Sequence, residues 1–172
     1  MMFLILAAAL TMHQPPITKL FLPKTTPRDT SHNYIVIHND GGNLNYKATR
    51  LVLRLRGLSY HYFIARNGKI YQFMDITRIA KHAGVSEWHG LTGWNLFSIA
   101  ICLQGTSYTD YTKAQYESLT SLVKYINIRY PDSKQKPILG HSDIAVPHGR
   151  KDDPSEHFEL WRVLNDTSNS NR

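Results

Sequence analysis

Short β-prone runs alternate along this chain with helical patterns, and this alternation constrains the fold more than any other feature. The predicted strands cover residues 34–38, 60–65, 69–73, 98–104 and 137–140. A helix with one apolar stripe is predicted over 113–129, and a short closing helix over 158–164. Such a mixture needs a sheet whose faces are covered by helices. We therefore expect a single α/β domain with a central mixed β-sheet flanked by helices.

Local signals set several element boundaries. Thr112 and Gln115 form a capping-box pattern in front of the long helix, and Pro131 follows its end. Asn67-Gly68 predicts a tight turn between two strands, and so a hairpin. Residues 47–56 fit both a strand and a helix, but Gly57 after them is typical of a helix C-terminus and favours the helix.

The cysteine content limits the kind of metal site. The 172-residue chain has one cysteine and nine histidines. A single cysteine excludes an intramolecular disulfide and a zinc site built on paired cysteines. Any metal must therefore be held by histidine and carboxylate side chains.

The charge is placed unevenly. Lys and Arg number 20 against 13 Asp and Glu, and eleven of these basic residues lie in 19–81 together with three acidic ones. A basic half suggests an anionic partner such as an envelope polymer or a membrane surface, although a merely solubilising surface is an equal alternative. No RNP-like motif or long Lys/Arg run occurs, so no nucleic-acid partner is expected.

The first residues predict a signal or anchor segment. Residues 1–12 form an apolar run that is shorter than the ~20 residues a membrane span needs and lacks a basic flank. We expect export to the periplasm or outside the cell, with membrane contact only through residues 1–12. The alternative is a buried segment in a cytoplasmic protein. An extended proline-rich leader is predicted over 13–32, the folded domain over 33–165 and a polar tail over 166–172.

Two histidines follow predicted strands, where catalytic groups commonly lie. His38 ends the strand 34–38, and His141 opens the polar loop 140–154. Zinc hydrolases commonly use three His or carboxylate ligands and leave a fourth position for water. His38, His141 and one loop carboxylate could supply them. A solvated loop of ion pairs is the alternative.

Five sequence blocks occur in one order that identifies a family. They are IVIH (35–38), SYHYFIARNGKIYQ (59–72), KHAGVSEWHG (81–90), NLFSIAICLQG (95–105) and GHSDIAVPHGRKDDP (140–154). Together they resemble the zinc-dependent N-acetylmuramoyl-L-alanine amidases, which include phage amidase-type lysozymes, bacterial wall amidases and peptidoglycan recognition proteins. The resemblance covers residues 34–161.

The resemblance implies one Zn²⁺ per chain. Its ligands would be His38, His141 and the aspartate directly before proline in the last block, which is Asp153. Asp152 occupies a variable position and is expected to be a neighbour of the ligands. The chain departs from the family's common pattern at Ser155, where many members have glycine.

The resemblance also implies two catalytic residues. Lys151 matches a lysine that stabilises the tetrahedral intermediate. One branch of the family has a catalytic glutamate where this chain has Cys102, and the branch without it has a tyrosine in the place of Tyr60. The expected catalytic pair is therefore Tyr60 and Lys151.

The implied activity is hydrolysis of the amide bond between N-acetylmuramic acid and L-alanine, in peptidoglycan or in muropeptides. His82, Trp88 and Asn95 lie in matching blocks and are expected at the substrate cleft. Packing beneath a loop is the alternative for Trp88 and Asn95. The competing function is a non-catalytic peptidoglycan-binding module of the same fold.

Overall fold

A computed structural model describes residues 14–21, 26–28, 33–131 and 136–168, with the side chains of 165–168 left aside. Residues 1–12 lie outside these ranges, so the signal or anchor segment stays a prediction. Among the described residues, no helix combines the length and the apolar character that crossing a membrane requires.

A six-stranded sheet forms the centre of the domain. Its order is β1 (Ile17–Lys19), β4 (Ile70–Gln72), β3 (Tyr62–Ile64), β7 (Ser98–Leu103), β2 (Tyr34–Asn39) and β8 (Ile138–Gly140). Only β3 and β4 pair antiparallel, through the predicted Asn-Gly hairpin, and the other neighbours are parallel. The expected mixed sheet is thereby confirmed.

Four helices and a small hairpin complete the described part of the fold. The helices are α1 (Tyr46–Leu55), α2 (Lys113–Arg129), α3 (His141–Ile144) and α4 (Leu160–Ser168), and the hairpin is β5 (Glu87–Trp88) with β6 (Leu91–Thr92). The capping box of α2 forms as predicted: Gln115 N–H donates to Thr112 Oγ1, and Thr112 N–H donates to Gln115 Oε1. Gly57 ends α1 with a φ of +64°, which explains the glycine there.

The alternation of side chains along the strands separates the core from the site. Ile35 and Ile37 of β2 lie on the face that α2 covers, where they join the main apolar cluster. Val36 and His38 point to the opposite face, because successive strand residues do so. Residues 98, 100 and 102 of β7 share that second face with His38. Whatever chemistry His38 performs therefore takes place on the sheet face away from α2.

The structure differs from the sequence prediction at both ends. Ile17–Lys19, inside the predicted leader, form the edge strand β1 along β4. Helix α4 continues to Ser168, into the predicted polar tail, since extending a helix costs less than starting one. Neither segment has a strong apolar pattern of its own. Pairing with β4 stabilises β1, and the preceding turn of α4 stabilises the last residues of that helix.

Candidate metal centre and catalytic cleft

His38 and His141 are brought together by neighbouring parallel strands. In the pairing of β2 with β8, Ile37 lies opposite Gly140. His38 and His141, which follow these two residues in the sequence, are therefore also neighbours. Parallel strands end at the same edge of a sheet, and His38 and His141 lie at that shared edge. The two ring centroids are 4.5 Å apart.

Asp153 reaches the same point through the return of the polar loop. The Ser142 N–H donates to the carbonyl of Asp153 at 2.8 Å, which holds the end of the loop against α3. Asp153 Oδ2 lies 3.0 Å from His38 Nδ1, and Oδ1 lies 3.0 Å from His141 Nδ1. The three side chains are buried, and their ligand atoms all lie within 4.8 Å of one another. Asp152 is exposed and is not part of this cluster.

A hydrogen-bonded relay behind His38 determines which of its nitrogens carries the proton. The Ser98 hydroxyl donates to the Trp94 carbonyl, which only accepts. Its single proton is thereby used, so Ser98 Oγ accepts from His82 Nε2 at 3.1 Å. His82 Nδ1 then carries no proton and accepts from His38 Nε2 at 2.9 Å.

His38 therefore presents an unprotonated Nδ1 to the cluster. Burial lowers the pKa of His38 to about 4, so the ring is neutral near pH 7 with its one proton on Nε2. A neutral His141 likewise carries its proton on Nε2, because Nε2 donates to the Ala83 carbonyl at 3.1 Å, and its Nδ1 is unprotonated. Both Nδ1 lone pairs thus point at Asp153.

This donor set fits a metal cation. Burial raises the pKa of Asp153, and the two imidazoles lower it well below its usual range only when their Nδ1 atoms donate N–H groups to the carboxyl. With both Nδ1 atoms unprotonated, a cation takes over the stabilisation of the ionised carboxyl. Two nitrogen lone pairs and a carboxylate in contact repel one another unless a cation lies among them. Two imidazoles and one carboxylate are a donor set typical of zinc hydrolases.

A cleft opens over this cluster. Its volume is about 420 Å³. Tyr60 and Lys151 line it, as do His82, His141 and Asp153. The remaining lining residues are Asn39, Asp40, Gly41, Arg56, Leu58, Lys81, Thr106, Ser107, Tyr108 and Asp152. Both predicted catalytic residues thus share one cavity with the cluster.

Tyr60 lies against His38, with ring centroids 5.0 Å apart. Burial, together with the nearby Cys102 and Asp153, raises the pKa of Tyr60 well above its ordinary value. The phenol is therefore a hydrogen-bond donor at neutral pH. Burial also raises the pKa of the Cys102 thiol, which packs with Phe63 and Phe73 and stays protonated.

The three predicted substrate residues have different surroundings. His82 lines the cleft, but its ring nitrogens bond to His38 and Ser98. Asn95 Oδ1 accepts from the backbone N–H groups of residues 82 and 83, each at 2.9 Å. Trp88 packs edge-on against Trp94 at 6.0 Å between ring centroids. Neither Trp88 nor Asn95 is among the side chains that line the cleft, so a substrate contact for them stays a prediction.

Sequence reasoning did not find several residues of the site. Ser98 and Ala83, which orient the histidines, lie in the matching blocks 95–105 and 81–90, but the sequence assigned neither of them a role. Their strand position gives only an indirect signal, since Ser98 lies on the same sheet face as His38. Arg56 and Lys81 reach the cleft from the basic stretch 19–81, which composition alone could not locate in space.

Comparisons with known proteins agree with this geometry. The profile of the family described as N-acetylmuramoyl-L-alanine amidase (Amidase_2) matches residues 28–156. The 1,6-anhydro-N-acetylmuramyl-L-alanine amidase AmpD of Haemophilus influenzae is 40% identical over 107 residues, which are 62% of this chain and 57% of that protein. This chain thus spans little more than half the length of the AmpD relatives that it matches.

Solved structures extend the likeness to the whole fold. A crystal structure of a selenomethionine AmpD derivative has a TM-score of 0.74 at 28% identity, covering 90% of this chain and 96% of that one. Escherichia coli AmiD, in complex with anhydro-N-acetylmuramic acid-L-Ala-D-γ-Glu-L-Lys, has a TM-score of 0.68 at 27% identity and covers 84% and 60%. With the family profile matching residues 28–156, this chain belongs to the N-acetylmuramoyl-L-alanine amidase family.

Proposed function

We propose that this chain hydrolyses the amide bond between N-acetylmuramic acid and L-alanine in peptidoglycan or muropeptides, with one Zn²⁺ per chain. One observation carries the proposal: His38 converges with His141 and Asp153, and these last two line a cleft together with Tyr60 and Lys151. A binding module has no need of three metal-binding groups buried beside a proton donor and a cation.

The names of the relatives support the substrate class. AmpD is named for its action on 1,6-anhydro-N-acetylmuramyl-L-alanine, and the AmiD structure contains a substrate with the same muramic acid to L-alanine linkage. The bond between muramic acid and L-alanine is therefore the first bond to test in this protein.

His38 and His141 would hold zinc through Nδ1 and Asp153 through its carboxylate. Zinc bound by three protein ligands polarises a carbonyl and lowers the pKa of a bound water towards ~7. The burial of the three ligands keeps competing water from their lone pairs. The relay through His82 and Ser98 keeps Nδ1 of His38 free of a proton and available to the metal.

Lys151 and Tyr60 would act on the charge that develops during the reaction. The Lys151 ammonium lines the cleft beside Asp153 and would stabilise the negative oxygen formed at the lactyl carbonyl. The protonated Tyr60 hydroxyl would donate a hydrogen bond there, and the pair would help deliver a proton to the departing L-alanine nitrogen. Cys102 takes no part, because its thiol is fully buried in an apolar cluster.

The other cleft residues suggest how the substrate is held. Arg56 and Lys81 line the cleft and would attract the carboxylates of a stem peptide. His82 reaches the cavity wall, so substrate contact and orientation of His38 are compatible roles for it. Contacts from Trp88 and Asn95 stay predictions.

The proposal is tested by digestion of soluble anhydromuropeptides and of purified sacculi, with and without a chelator, followed by mass spectrometry. We expect release of free stem peptide that begins with L-alanine, and loss of this product with chelator. The His141→Ala variant is the matched negative control. Muropeptide binding without any product would contradict the proposal and favour the non-catalytic module.

The two substrates of this experiment also bear on location. Intact wall lies outside the cytoplasmic membrane, whereas an enzyme that acts only on released muropeptides works without export. Preference for sacculi would agree with the predicted export and an endolysin-like role. Preference for soluble muropeptides would agree with the cytoplasmic alternative.

A further inference from the structure

The outward face of α1 is apolar in a way that a surface helix rarely is. Leu51 and Leu55 lie one turn apart, and their exposed fractions are 56% and 77%. The inner face of α1 is a different one, and its residues Thr49 and Leu53 are buried against the sheet. Leu58, after the helix end, is also exposed. These leucines form an aliphatic row that no described part of the chain covers.

Cations lie next to this row. Lys47 and Arg54 are exposed on α1, and Arg56 follows directly after the helix. The sequence contains no Asp or Glu between Asp40 and Asp75, so the stretch that contains α1 carries only positive charge. The surface is therefore both apolar and cationic.

A groove of about 360 Å³ lies beside the same helix. Its walls combine Lys47, Arg50 and Arg54 with Leu20, Tyr46 and Leu51. Arg50 donates to the Phe21 carbonyl, while its buried Nε has no hydrogen-bond partner among the described residues. The groove is thus lined by three cationic and three largely apolar side chains, a combination that suits a phosphate joined to a hydrocarbon chain.

We propose that this α1 surface, consisting of Leu51, Leu55 and Leu58 with Lys47, Arg50, Arg54 and Arg56, binds an anionic phospholipid bilayer. The leucines would enter the boundary between headgroups and acyl chains, and the cations would contact lipid phosphates. A soluble anionic polymer would satisfy the cations but leave the leucines in water. The aliphatic row is what favours the lipid surface.

This binding would orient the catalytic cleft. Arg56 and Leu58 belong both to the α1 surface and to the lining of the cleft. A chain docked through α1 therefore has the mouth of its cleft next to the lipid headgroups. This surface consists of residues between 47 and 58 and does not include residues 1–12.

Vesicle sedimentation tests the proposal on the full chain. We expect binding to vesicles of phosphatidylglycerol and phosphatidylcholine and weak binding to phosphatidylcholine alone. The double variant Leu51→Ser/Leu55→Ser should bind the anionic vesicles about tenfold more weakly, because it removes two side chains that gain from leaving water. Each of Lys47→Gln and Arg54→Gln should weaken binding about fivefold.

The matched control is Ile128→Ser on α2, where an aliphatic side chain is 50% exposed far from the cationic stretch. It should bind like the parent chain. Binding that is unchanged in the leucine double variant would overturn the proposal, as it would show attachment through another segment such as residues 1–12. Equal loss of binding in the Ile128 control would also overturn it.

A site-specific label gives a second readout. The only cysteine, Cys102, is fully buried, so a cysteine introduced by Leu55→Cys takes a polarity-sensitive dye selectively. We expect a blue shift of the dye when anionic vesicles are added, and no shift for the same dye on Ile128→Cys. A spectrum that is already blue-shifted without vesicles would show that the chain covers this face itself, and would overturn the proposal.

Discussion

His38 Nε2 lies 2.9 Å from His82 Nδ1, and this contact gives His82 a second role beside the one that the sequence suggests. The HAG block places His82 at the substrate cleft, whereas the structure also makes it the acceptor for the proton of a metal-binding histidine. Because Ser98 donates to a carbonyl that only accepts, the direction of every bond in the relay follows. The Trp94 carbonyl, at the other end of the relay from His38, thus determines the tautomer of His38.

Disrupting this relay should weaken zinc binding while the protein stays folded. We expect His82→Ala to lower zinc affinity about 10- to 100-fold, measured by competition with a chelating dye. His82→Asn retains an acceptor near the position of Nδ1 and should recover most of the affinity. In the metal-free protein, ¹⁵N shifts should show the His38 proton on Nε2 in the parent chain and a mixture of tautomers in His82→Ala. Equal affinity in all three proteins would refute the relay.

The two adjacent aspartates provide a matched test of the ligand assignment. Asp153→Asn should lose bound zinc, because it removes the only carboxylate in the cluster. Asp152→Asn changes an exposed neighbour and should retain a full equivalent of metal by elemental analysis. Full occupancy in Asp153→Asn, or in His38→Ala, would contradict the assignment.

Lys151 and Tyr60 should affect turnover while zinc stays bound. We expect Lys151→Ala to lower kcat by about 10²- to 10³-fold with unchanged metal content, because one group that stabilises the oxyanion is lost. Tyr60→Phe removes the donor without emptying the space beside His38 and should lower kcat as well. Lys113→Ala, an exposed lysine on α2, is the control. Full activity in Tyr60→Phe would make Tyr60 a packing residue only.

The metal-free protein should lose stability as the pH falls below neutrality. The folded-state pKa of His38 is about 4, below its ordinary value of 6.5, because the ring is buried. Burial lowers the pKa of His82 in the same direction. Between these pH values the unfolded chain binds protons that the folded chain does not. His38 therefore contributes stability that is present above pH 6.5 and is lost as the pH falls through about 4, and His82 changes the stability in the same direction.

The slope of this effect is at most about 1.4 kcal/mol per pH unit for each ring. Urea unfolding at pH 7 and pH 5 in the presence of chelator measures it. His38→Asn should reduce the slope, whereas His148→Asn, at an exposed position, should leave it unchanged. Stability that does not vary over this range would show that the rings are accessible to protons in the folded protein.

Asn95 should prove to be a loop anchor. Its side-chain oxygen holds two backbone N–H groups next to the relay, so Asn95→Ala should destabilise the protein by about 2 kcal/mol. Its effect on KM should be small, because the side chain does not line the cleft. A large rise in KM with unchanged stability would instead support the substrate contact that the sequence predicts.

The sequence was sufficient for elements whose signals are local. The capping box of Thr112 and Gln115, the Asn67-Gly68 turn and the Gly57 helix end each depend on a few neighbouring residues, and the structure confirms all three. The strand β1 was not predicted, because three residues pair there only when β4 offers a free edge.

The residues of the site show the same difference between local signals and long-range contacts. The position of His38 and His141 after short strands made a histidine and carboxylate cluster one candidate, and the resemblance of the ordered blocks to the amidase family selected Asp153 as the third ligand. The relay from His38 to Ser98, the anchoring role of Asn95 and the packing of Trp88 against Trp94 depend on contacts between segments far apart in sequence. Hydrogen-bond direction and side-chain packing are properties of distances in space, and only the folded chain brings these groups close enough for them to act.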